Sequence, residues 1–89
     1  MSPAAASALQ ALDVNPLQLL NRHLCGDWGE ASPVDVRQNE LGVRMGLRIT
    51  STYVLPAGTD AYGAPKTVTV VILTRADRRA TLVQLQGEH

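Results

Sequence analysis

The chain has no phenylalanine, a single cysteine, a single tryptophan and no net charge. Each shortage excludes something. With aromatics confined to Trp28, Tyr53 and Tyr62, the core has to be aliphatic, assembled from Leu, Val, Ile and Ala. The lone Cys25 cannot close an internal disulfide, and no spaced cysteine framework of a secreted domain is present, so a reducing, cytoplasmic setting is expected. The longest apolar run, Val70 to Leu73, falls far short of a membrane span, and MSPAAASALQ lacks the basic start and apolar stretch of a signal peptide. No membrane association is expected. Eight basic residues balance eight acidic ones, so no long-range field draws the chain to phosphates, and strong nucleic-acid binding is not expected. The one basic cluster, Arg75, Arg78 and Arg79, reads first as a solvated loop.

At 89 residues there is room for one domain. Three times in the first third a capping residue directly precedes proline: Ser2-Pro3, Asn15-Pro16 and Ser32-Pro33. Each pair marks a helix start, because the side chain accepts an orphan N–H and proline at the first helical position forfeits no hydrogen bond. Gln18 and Asp35, three residues beyond their caps, resemble capping-box partners. The helices are expected at about residues 3–12, 16–24 and 33–45, with Gly26 and Gly46 as left-handed terminators. Their apolar stripes read as Leu9 with Leu12, Leu17 with Leu20 and Leu24, and Val34 with Leu41 and Met45.

After Gly46 the period changes to two. Residues 47–55 put Leu47, Ile49, Tyr53 and Leu55 on one face; residues 67–74 are β-branched almost throughout; residues 81–86 offer Val83 and Leu85 to one side. Residues 56–65, with two glycines and two prolines, read as a long turn with Tyr62 near its tip. The expected architecture is α+β: three short N-terminal helices packed on one face of a C-terminal three-stranded antiparallel meander.

The chemistry-bearing stretch is HLCGDWGE, residues 23–30. As a metal site it is short of ligands, since the only other histidine is His89 and zinc needs three or four. As a nucleophilic centre it is poorly arranged: His23 and Cys25 are two apart at a helix end, pointing apart, and the negative end of the dipole disfavours a thiolate. An acid/base pair of Asp27 with Asp77 would need a concavity that so small a domain is not expected to provide. No cofactor is expected. The architectural reading has Leu24 and Trp28 closing one end of the core, Asp27 accepting backbone N–H groups, and His23 bonding a carbonyl of its own helix. In residues 74–81, Asp77 should fold onto its own backbone and Arg78 should pair with Asp27 or Glu30. If the two loops meet, His23, Asp27, Trp28, Asp77 and Arg78 form one composite surface.

With both loops in view, the chain resembles a group of small plasmid-related proteins of mobile elements, whose pattern R-H-x-x-G-D-W-G is carried here by Arg22, His23, Gly26, Asp27, Trp28 and Gly29. Its second part, T-x-A-D-R-x-x-T, is carried by Thr74, Ala76, Asp77, Arg78 and Thr81, with Asn39 on the helix between. The likeness covers about residues 15–89. The chain departs from the pattern in its longer turn around Tyr62, in having no tryptophan in its central strand, and in ending Gly87-Glu88-His89. The resemblance carries no established activity. The function expected is that of a non-enzymatic binding or accessory protein of a mobile element, acting through contacts with a protein partner or with itself as a homodimer. An inhibitor of host restriction or CRISPR machinery is the alternative, and a small hydrolase-like enzyme built on Asp27, Asp77 and His23 ranks below both.

Overall fold

In the computed structural model, which describes residues 1–87, three helices, α1 (Pro3–Ala11), α2 (Pro16–Leu24) and α3 (Pro33–Met45), precede three strands, β1 (Ile49–Thr59), β2 (Pro65–Thr74) and β3 (Thr81–Leu85). His89 and the end of the chain from residue 88 lie outside the described residues. All three helices start where cap and proline dictate. Ser2 Oγ accepts from Ala5 N at 3.1 Å, Asn15 Oδ1 from Leu17 N at 3.0 Å, and Ser32 Oγ from Asp35 N at 3.1 Å. Gly26 and Gly46 are left-handed, with φ of 83° and 72°, and end α2 and α3 as expected.

The strands form an antiparallel meander in the order β1-β2-β3, with Tyr53 opposite Val70 and Ile72 opposite both Ser51 and Val83. One face packs on the helices. Its core unites Ala5 and Leu9 of α1, Leu19 of α2, and Tyr53, Val70, Ile72 and Val83 of the sheet. The strands run further than alternation alone indicates. The ladder continues through a bulge between Pro56 and Thr59 to the pair Thr59–Pro65, leaving a tight turn in place of a long one. β1 also starts later than residue 47, because Leu47 N donates to the Gly42 carbonyl at 3.0 Å and completes the end of α3.

Two helical stripes are corrected. Leu17 and Leu24 of α2 are exposed, and Leu19 and His23 are the buried pair; on α3, Val34 and Met45 face outward while Asn39 and Gly42 are buried. The reason lies in the sheet. α3 lies against the edge strand β1 at backbone distance: a Cβ on Gly42 would come within 2.9 Å of the Arg48 carbonyl oxygen. A large apolar side chain cannot occupy such an approach.

Edge strands expose unpaired backbone groups, and here β1 is sealed residue by residue. Asn39 donates to the Thr50 carbonyl at 2.6 Å and accepts from Thr50 N at 2.8 Å, imitating a neighbouring strand. Thr52 N donates to the Trp28 carbonyl at 3.1 Å, and Glu30 N to the Thr52 carbonyl at 2.7 Å. The Glu30 carboxylate accepts from Val54 N at 2.9 Å, and Pro56 has no N–H to satisfy. Replacing Asn39 with Ala removes both bonds of a side chain only 1% exposed, and should lower stability in urea unfolding by about 2–3 kcal/mol. Asn39→Asp should not rescue it, since a carboxylate would face the Thr50 carbonyl oxygen.

Candidate functional site

α2 carries His23 onto the inner face of the sheet, where the imbalance of a polar pair awaits it. Ser51 occupies the position between Ile49 and Tyr53 in the buried row of β1, and Thr74 stands at the end of β2; both are buried. The His23 imidazole joins them: Nδ1 bonds Ser51 Oγ, Nε2 bonds Thr74 Oγ1 at 2.8 Å, and Thr74 continues to Thr81 Oγ1 at 3.0 Å. This replaces the expected bond to a carbonyl of its own helix. A neutral ring has one donor and one acceptor nitrogen, and hydroxyls can answer either, so the chain of bonds closes without a charge. No carboxylate is hydrogen-bonded to the ring, and burial holds its pKa below the ordinary imidazole value.

Trp28 meets His23 edge to face, with ring centroids 6.0 Å apart and planes at 74°. Between the two, Asp27 turns outward. Its carboxylate binds Arg22 Nε at 2.7 Å and accepts from Gly29 N at 3.1 Å, and the Arg22 bond is the chief reason its pKa lies below the usual range. The same arginine covers the ring of Tyr53 at 4.6 Å, while Tyr53 Oη donates to the Asp27 carbonyl at 2.7 Å. Gly29 then passes so close to β1 that a Cβ would fall on the Thr52 carbonyl and the Tyr53 ring, at a φ of 66° that favours glycine.

The second loop behaves differently from expectation. Asp77 does fold onto its own turn, accepting from Arg79 N at 3.0 Å. Arg78 pairs with neither Asp27 nor Glu30, whose carboxylates bind Arg22 and the Val54 N–H. It reaches instead to the end of α3, donating to the carbonyls of Leu47 at 2.7 Å, Gly42 at 2.9 Å and Arg75 at 3.2 Å. A guanidinium satisfies orphan carbonyls where the helix dipole is negative, and that position outcompetes an exposed carboxylate.

His23, Trp28 and Arg78 therefore come together, whereas Asp27 and Asp77 do not join them. The three line a cleft of about 320 Å³ that so small a chain was not expected to hold, with Leu24, Val43, Ile49 and Thr74 among its walls and the exposed Cys25 beside them. Leu24, expected to close the core, is 74% exposed at the margin of this cleft. Ser51 beside His23 has the pairing that activates a serine nucleophile, but it is fully buried and is not part of the cleft wall. Among the described residues, no group of three or more His, Cys, Asp or Glu is gathered to hold a metal, and no helix is long and apolar enough to cross a membrane. Comparison with family models, with curated proteins and with solved structures finds no match to this chain.

Ser51, Thr74, PLACEHOLDER Ser51 alone left a signal: a hydroxyl in a buried apolar row requires a polar partner. The titration of His23 has a consequence for stability. Unfolded chains take up a proton near the ordinary imidazole pKa of about 6.5, and the folded state does so only at lower pH. Stability should thus be full above about pH 6.5 and fall as pH drops toward the depressed folded pKa, by at most about 1.4 kcal/mol per pH unit. Denaturant unfolding between about pH 5 and 6.5 measures this slope, and His23→Gln should flatten it.

Proposed function

We propose that the protein is a non-enzymatic binding module that works through protein–protein contacts, and that a second copy of itself is its first partner. One observation carries the reading: the face of the sheet turned away from the helices. Val71 and Leu73 of β2 lie between Thr52 and Gln84 and between Thr50 and Leu82, with Val54 alongside, all half-buried or exposed. This face presents no charged side chain along the three strands. An uncharged, largely apolar face left open by the helices matches the composition of an interface centre, from which charges are depleted.

The supporting points are negative for the other classes. The acids that an acid/base mechanism would need are outside the cleft, and Arg78, the middle member of the basic cluster, spends its guanidinium on backbone carbonyls. From the resemblance to plasmid-related proteins we infer that a mobile element is the setting in which the module serves as an accessory. Sedimentation at ~100 μM, a hundredfold above a micromolar Kd, should show a dimer. Val71→Lys should convert it to a monomer with unchanged circular dichroism. A wild-type chain that stays monomeric at that concentration contradicts the reading.

A further inference from the structure

We infer that Tyr62, at the tip of the β1–β2 hairpin, is an anchor that inserts into the Trp28 cleft of a second copy. This deepens the self-association reading and rests on it.

The tip is built to hold the ring out. Asp60 Oδ1 accepts from Tyr62 N at 2.8 Å and from Ala64 N at 3.0 Å, Asp60 N donates to the Ala64 carbonyl at 2.9 Å, and Gly63 N to the Asp60 carbonyl at 3.1 Å. Four bonds fix a turn whose tyrosine is 95% exposed. An aromatic side chain presented on an ordered turn loses little entropy on binding, and tyrosine is among the residues that dominate interface energetics. β3 pairs only with Val70–Thr74, so the outer half of the hairpin projects as a two-stranded arm from a molecule whose long axis spans 46 Å.

Its own cleft is out of reach. Ile49 and Thr74, which help line the cleft, pair with each other at one end of the ladder, and Tyr62 is beyond the other end. Ten residues of strand separate Ile49 from Thr59, roughly 33 Å. A second copy placed antiparallel brings tip to cleft twice about one two-fold axis, which closes the assembly at a dimer. The bulge between Pro56 and Thr59 bends the arm, so that its tip is not confined to the plane of the contact face.

Size supports the same occupant. The open sheet face alone, three strands wide and a few residues long, covers on the order of 300–400 Å², short of the ~800 Å² per partner of a stable interface. Two reciprocal tyrosines, each burying about 150–250 Å², supply much of the difference. A cleft of about 320 Å³ has room for one ring-sized group. Trp28, Leu24, Val43 and Ile49 offer it apolar contact, and Arg78 stands at the wall for its hydroxyl or ring face.

Trp28 is the only tryptophan, so its emission reports on the cleft directly. The wild-type chain, diluted from ~100 μM to ~0.1 μM through a micromolar Kd, should show Trp28 emission moving to longer wavelength in step with dimer dissociation followed by sedimentation. Tyr62→Ala should weaken the dimer at least tenfold and abolish the concentration dependence of the emission, and Tyr62→Phe should restore most of both. If Tyr62→Ala dimerises like wild type with the same emission change, the anchor is overturned while the sheet-face dimer stands. If the wild type is monomeric throughout, the self-association reading fails and takes the anchor with it.

Discussion

A buried imidazole held between two hydroxyls is the interaction on which this fold depends. The inner face of the sheet contains Ser51 and Thr74 among Ile49, Tyr53, Val70 and Ile72, and two buried hydroxyls without partners would each cost about 1–3 kcal/mol. His23 answers both at once. Because one hydroxyl belongs to β1 and the other to β2, a single side chain fixes α2 relative to two strands, and Thr74 passes the connection to Thr81 at the start of β3. Few aromatic side chains are available to specify a unique arrangement in this aliphatic core, and a directional polar contact supplies that specificity.

From this point the rest of the corner follows. With α2 ending at His23–Leu24, the chain turns through Gly26, places Trp28 across the imidazole, and runs Gly29 and Glu30 along the edge of β1. Asn39 continues the seal from α3, and Arg78 closes the end of that helix from the opposite loop. The polar residues of both loops are spent on backbone groups. One edge of the sheet and one of its faces are closed in this way, and the outer face, the tyrosine tip and the Trp28 cleft are what the molecule offers to a partner.

Much of this was legible in the residues. Ser2-Pro3, Asn15-Pro16 and Ser32-Pro33 define helix starts by local chemistry alone, and alternation in Ile49, Tyr53 and Leu55 or Val68, Val70 and Ile72 defines strand faces, so the α+β order with its meander is readable without coordinates. The helix faces were not. Apolar periodicity favours Leu17, Leu20 and Leu24, but α2 is turned by the demand of Ser51 and Thr74 for a polar partner, and α3 by the close approach of Gly42 and Asn39 to β1. Those demands come from residues 28 or more positions away in the case of His23, and a local pattern contains no trace of them. The cleft was hidden for the same reason, since its walls come from α2, the Trp28 corner, α3 and the loop after β2.

Nitrogen-detected NMR of the His23 ring tests the central claim most directly. Clamped between two hydroxyls, the ring should show one tautomer, a protected N–H, and a titration displaced below the ordinary imidazole pKa of about 6.5. A ring that exchanges freely and titrates at the ordinary value would contradict it.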